Sequence, residues 1–69
     1  MNKSLVYDTS RMKAIKIQGL IPDEATRKIV KETDLSVLKD LWLIYYQGDK
    51  TEMMKITEKR IVELGGSVR

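Results

Sequence analysis

Near the beginning of the chain, the side chains that could do chemistry are basic, and they are suited to binding rather than to catalysis. Arg11, Lys13 and Lys16 lie close together, and Gln18 follows them. Arginine and lysine side chains bind phosphates, and a glutamine amide can form two hydrogen bonds with the edge of an adenine. We therefore predict a nucleic-acid-binding segment made of these four residues, with duplex DNA as the partner.

The positive charge of the chain is concentrated in the same segment. The formal net charge is +3, and residues 1–20 account for all of it, because basic and acidic side chains are equal in number over residues 21–69. A basic N-terminal segment attached to a neutral body is typical of proteins that bind an anionic partner. The alternative interpretation is a solvated, charge-biased start to the chain.

Histidine and cysteine are both absent from the sequence. General acid–base catalysis near neutral pH usually relies on histidine, and thiol nucleophiles require cysteine. The same two residue types supply the usual zinc ligands. We therefore expect no catalytic residue, no metal site, no small-molecule cofactor and no enzymatic activity.

The length of 69 residues predicts a single small domain over residues 1–69. No apolar run approaches the roughly 20 residues that span a bilayer, and the first residues lack the apolar stretch of a signal peptide. We therefore expect a cytoplasmic protein with no membrane partner. Small domains often need disulfides, a metal or a partner chain for stability, so we also expect a homodimer.

Hydrophobic periodicity predicts a central helix from about residue 35 to 47. Apolar residues cover more than half of its circumference, which exceeds the roughly 100° stripe of an ordinary surface helix. Asp34 is placed to cap its start. A helix this apolar is expected to pack on at least two sides, against the rest of the domain or a second copy.

A second helix is predicted from about residue 50 to 64. Asp49 and Glu52 have the spacing of a capping box, and Gly65 is suited to a left-handed helix end. Only Gly48 and Asp49 separate this helix from the central one, and such short connections make helices antiparallel neighbours. We therefore predict an antiparallel αα-hairpin over residues 35–64.

Four residues of this hairpin are candidates for an interface with a second copy or another protein. Leu43 is the apolar residue on the otherwise polar side of the central helix, and Arg60 lies close to the apolar face of the next one. Exposed apolar patches often mark interaction sites. The set consists of Leu43, Trp42, Tyr46 and Arg60. It supports a second hypothesis, that the chain is an adaptor, inhibitor or assembly factor.

The first half of the chain allows two interpretations. A short helix is predicted over residues 22–33, since Pro22 suits a first helical position. Residues 12–18 fit either a helix ended by Gly19 or a short strand with Ile15 and Ile17 on the same side. We predict the first option, which makes an all-α domain of three or four helices. The alternative is an α+β fold with a short N-terminal strand over about residues 12–18.

The strand option carries a resemblance to a known family. If "KAIKIQ" is a strand, the stretch "IKIQGLIPDEATRKIVKETDLS" resembles the ribbon-helix-helix repressors and antitoxins. That resemblance implies a dimer with paired strands, in which Lys16 and Gln18 face the major groove of DNA. Residues 18–20 separate strand from helix, however, where the family joins them directly. The chain is therefore not assigned to this family.

Overall fold

Four helices and no strand make up residues 9–68, the part of the chain that the computed structural model describes. The helices are α1 (Thr9–Gln18), α2 (Pro22–Lys31), α3 (Leu35–Gln47) and α4 (Thr51–Glu63). The predicted all-α class is confirmed. Within the described residues, none of the helices has the length and apolar character needed to cross a membrane. The start of the predicted basic segment, residues 1–8, lies outside the described residues.

Helix α1 shows that the strand alternative for residues 12–18, and the ribbon-helix-helix-like dimer based on it, is wrong. A strand would have turned Ile15 and Ile17 to the same side. In the helix, Ile17 is buried together with Ala14, three positions earlier, whereas Ile15 is 51% exposed. Ala14 is small and fully buried, so the backbone of α1 can come close to its neighbours. A helix buries both residues on one side, whereas a strand would have placed them on opposite faces.

Helix α2 begins at Pro22, as the sequence predicts, and ends at Lys31 rather than near residue 33. Glu32 has extended backbone angles, and its carboxylate accepts hydrogen bonds from the backbone N–H groups of Thr33 and Asp34. Its backbone carbonyl accepts a 2.9 Å bond from Nε of Arg60 on α4. This contact links the end of α2 to α4.

Helix α3 supplies the largest share of the core. Asp34 caps its start, since its side chain accepts a 2.9 Å hydrogen bond from the backbone N–H of Ser36. Four of its residues are buried, namely Val37, Leu38, Leu41 and Tyr45. They meet Ile29 of α2, Ile61 of α4 and the two buried residues of α1 in one cluster. Helix α3 is therefore the central helix of the domain.

The connection between α3 and α4 uses one residue more than predicted. Gly48 ends α3, Asp49 has a positive φ of 59°, and Lys50 precedes the first residue of α4 without a side-chain capping bond. The predicted capping box from Asp49 is therefore wrong. Asp49 instead occupies a left-handed position, which a short polar side chain tolerates better than most. The backbone N–H of Lys50 then reaches the carbonyl of Tyr45 at 2.9 Å.

The four helices form a closed arrangement around the core. Helix α1 packs against α3 and α2, and α4 packs against the same two helices. The core cluster contains Ala14, Ile17, Ala25, Ile29, Val37, Leu38, Leu41, Tyr45 and Ile61. Surface grooves lie between α1 and α2, between α1 and α3, and between α2 and α4. The two grooves that border α1 form the candidate sites described below.

The stability of the domain is expected to decrease at alkaline pH because of Tyr45. Burial raises the pKa of its phenol above the ordinary 10.0. The unfolded chain therefore loses this proton at a lower pH than the folded protein. The contribution is fully present below pH 10.0 and is lost as the pH rises through the higher folded pKa. Denaturation across this range should show a smaller decrease for Tyr45→Phe, and an equal decrease in both proteins would contradict the assignment.

Candidate nucleic-acid interface

A groove with basic walls lies between α1 and α2. Lys13 and Lys16 line it from α1, and Lys28 lines it from α2. Ile17 and Leu20 form its apolar floor. Helix periodicity explains the pairing, because positions three apart share a face of a helix and Ala14 and Ile17 bury the adjoining face of α1.

The basic surface continues along α2. Arg27 and Lys31 lie beside Lys28 on a second depression that also includes Leu20 and Glu24. Since Lys28 and Leu20 belong to both depressions, the two form one continuous surface. We call this surface the basic groove. Its basic members are Lys13, Lys16, Arg27, Lys28 and Lys31.

The charges of the basic groove are largely uncompensated. All five basic side chains are exposed, and the acidic residues that line the same surface are Glu24 and Glu32. Within residues 9–68, the one ion pair lies on α4 and joins Arg60 to Glu63 at 3.4 Å. No acidic group of the described chain therefore holds any of the five cations in an ion pair. Their positive charge is available to an external anion.

The structure separates the four residues predicted to bind nucleic acid. Lys13 and Lys16 lie together in the basic groove. Arg11 lies on the other side of α1, where it lines a different groove with residues of α3. Gln18, at the last position of α1, is exposed and lines neither groove. The predicted linear segment is thus divided by the helix into two faces.

Three basic members of the site were missed by sequence reasoning, namely Arg27, Lys28 and Lys31. The net charge of α2 understates them, because Asp23 and Glu24 of the same helix offset two of the three positive charges. Their spacing places them away from the buried residues of the same helix, and this signal could have revealed a basic side of α2. Which helix lies beside that side depends on tertiary packing, and the sequence pattern does not contain this information.

The candidate interface residues of the hairpin have different environments. Leu43 is 47% exposed and Tyr46 is 56% exposed. Trp42 is partly buried and stacks on Tyr46 with ring centroids 5.4 Å apart. Arg60 directs Nε to the carbonyl of Glu32, so its guanidinium is engaged within the chain. Leu43 and Tyr46 are therefore the members that a partner could contact directly.

Other kinds of site find little support in the described part of the chain. Residues 9–68 contain no group of three or more His, Cys, Asp or Glu side chains placed to hold a metal ion. The aromatic residues of this range all belong to α3, and none lines the basic groove. Comparison with protein-family models, curated proteins and solved structures found no match.

Proposed function

We propose that this chain is a small, non-enzymatic regulatory protein that binds duplex DNA through the basic groove. The observation that carries this proposal is the convergence of five exposed, unpaired basic side chains from two helices on one surface. A surface of this kind fits the phosphate backbone, which dominates the affinity of most DNA-binding proteins. Regulation would follow from occupancy of the DNA.

The composition of the groove favours backbone contact over base recognition. Unpaired bases are usually held by aromatic stacking, and the basic groove has no aromatic side chain among its described lining residues. Gln18, which could read an adenine edge, lies outside it. The proposed mode is therefore attachment to duplex phosphates with little dependence on sequence.

Replacement of three groove lysines should weaken DNA binding and reduce its salt dependence. The variant is Lys13→Gln/Lys16→Gln/Lys28→Gln, which keeps side chains of similar length and removes three charges. Each lysine–phosphate contact contributes about one unit to the slope of log affinity against log salt. Fluorescence anisotropy with a labelled duplex should therefore show a slope less negative by about three units.

The matched control removes the same charge from another part of the surface. Lys39, Lys55 and Lys59 are also exposed but lie on α3 and α4. Lys39→Gln/Lys55→Gln/Lys59→Gln should retain most of the affinity and the slope. Equal losses of DNA affinity in the two triple variants would show that net charge, and not the basic groove, determines binding. Absence of duplex binding by the unaltered chain at low salt would exclude the proposal.

A second candidate function is a protein-interaction module. It is supported by exposed apolar side chains that are not scattered but adjoin one another on α1 and α3. Ile15, Leu43 and Ile44 line one groove between these helices. Exposed apolar surface of this kind often marks an interface. The two candidates use opposite sides of α1 and can be tested independently.

A further inference from the structure

The groove between α1 and α3 combines apolar side chains with one charge of each sign. Its apolar members are Ile15, Leu43 and Ile44, and its polar members are Arg11, Asp40 and Gln47. Ile15 and Leu43 are 51% and 47% exposed. We call this surface the apolar groove. It shares no lining residue with the basic groove on the other side of α1.

The two charges of the apolar groove do not neutralise each other within the chain. Arg11 and Asp40 form no ion pair within the described residues, where Arg60 and Glu63 form the one such pair. One carboxylate oxygen of Asp40, Oδ2, accepts a 3.2 Å hydrogen bond from the hydroxyl of Ser10. Its second oxygen and the guanidinium of Arg11 remain available to an external partner.

A surface that carries apolar side chains beside one charge of each sign can be complementary to a second copy of itself. In a two-fold symmetric pair, the same patch of both subunits meets, so residue i contacts residue j and j contacts i. Arg11 of one copy would then meet Asp40 of the other, twice in each dimer. The exposed side chains of Ile15 and Leu43 would be covered in the same contact. A partner of single-signed charge would leave one of the two groups unpaired.

We propose that the apolar groove is the contact surface of a homodimer, with a second copy of this chain as its occupant. This inference makes the second candidate function specific by naming both the partner and the surface. The short length of the chain agrees with it, since a domain of 69 residues without cysteine or histidine has no disulfide or zinc site to stabilise it.

Helix α1 connects this dimer to the basic groove. Its Arg11 and Ile15 side belongs to the apolar groove, and its Lys13 and Lys16 side belongs to the basic groove. Pairing through the apolar groove therefore leaves both basic grooves uncovered and holds two of them in one particle. The dimer would offer DNA twice the number of phosphate contacts that one chain offers.

The first test removes the apolar contact. Leu43→Lys should raise the dimer dissociation constant at least about 100-fold, because a symmetric interface carries the change twice. Val62→Lys is the matched control, since Val62 is 60% exposed but lies on α4 outside the apolar groove. Sedimentation equilibrium gives the mass, and circular dichroism shows that both variants keep their helices. A monomer at every concentration of the unaltered chain, or equal effects of both variants, overturns the proposal.

The second test exchanges the charges. Arg11→Asp and Asp40→Arg should each weaken the homodimer by placing like charges opposite each other. A mixture of the two variants should recover association, because both cross-subunit pairs become attractive again. The double variant Arg11→Asp/Asp40→Arg should also associate. If the mixture associates no better than either variant alone, the proposed pairing is incorrect.

These measurements need no DNA, so the dimer and the DNA-binding proposal can fail separately. The triple variant at Lys13, Lys16 and Lys28 should remain a dimer, with the same mass in sedimentation equilibrium as the unaltered protein. The Leu43→Lys variant should still bind duplex DNA through one basic groove, with a smaller salt slope. If the unaltered chain dimerises but does not bind duplex DNA, only the DNA-binding proposal is overturned. If it binds duplex DNA as a monomer, only the dimer proposal is overturned.

Discussion

Leu38→Ala is expected to lower the free energy of unfolding by about 2 to 5 kcal/mol. Leu38 is fully buried on the central helix α3, which packs against both α1 and α4. Removal of its side chain leaves a cavity that rigid neighbouring helices cannot close completely. Native domains are stable by only about 5 to 15 kcal/mol, so this single change should unfold a large part of the population under mild denaturing conditions.

The control for this prediction is the same substitution later in the same helix. Leu43 is 47% exposed, so Leu43→Ala removes much less buried surface. Urea denaturation followed by circular dichroism should give a far lower midpoint for Leu38→Ala than for Leu43→Ala. Similar midpoints for the two variants would show that α3 is oriented differently from the arrangement described above.

Ala14→Asp is expected to release α1 from the rest of the domain. Ala14 is fully buried, and within the described chain only Ile17 joins it in the core from this helix. A carboxylate at this position would lack a partner, which typically costs about 3 to 5 kcal/mol for a buried charge. The other contacts that hold α1 to the domain include the buried side chain of Ile17 and the hydrogen bond from Ser10 to Asp40.

Hydrogen exchange provides the measurement for this second prediction. The amides of α1 should lose protection, while those of α3 and α4 keep more of theirs. Met12→Asp is the control, because Met12 is exposed on the same helix and an acidic residue in the first turn favours a helix. DNA affinity of Ala14→Asp should also decrease, since Lys13 and Lys16 would no longer be held beside Lys28. Full protection of α1 in Ala14→Asp would contradict the packing of this helix.

Local chemistry was sufficient to predict much of the helical structure. Pro22 and Asp34 have strong positional preferences at helix starts, and both occupy the expected positions. The apolar circumference of residues 35–47 correctly predicted a helix that packs on more than one side. These predictions depend on neighbours in the sequence, so no knowledge of the tertiary structure was needed.

Errors and open alternatives arose where the same residues fitted two local patterns. Asp49 satisfied the pattern of a capping box, but the turn uses it at a positive φ and places Lys50 before the helix. Residues 12–18 fitted both a strand and a helix, and the packing of Ala14 against the core decided between them. The partnership of Lys13 and Lys16 with Lys28 likewise depends on how α1 and α2 dock, which no periodicity within either helix specifies.

The stack of Trp42 on Tyr46 gives the chain an internal optical probe. Trp42 is the only tryptophan of the sequence, and its indole Nε1 is shielded from solvent without a hydrogen-bond partner. Its fluorescence therefore originates from one place, on α3, where no residue lines the basic groove. Tyr46 is exposed on the same helix as Leu43. Because neither ring lines the basic groove or the apolar groove, emission should follow the unfolding of α3 and remain unchanged when either groove is occupied.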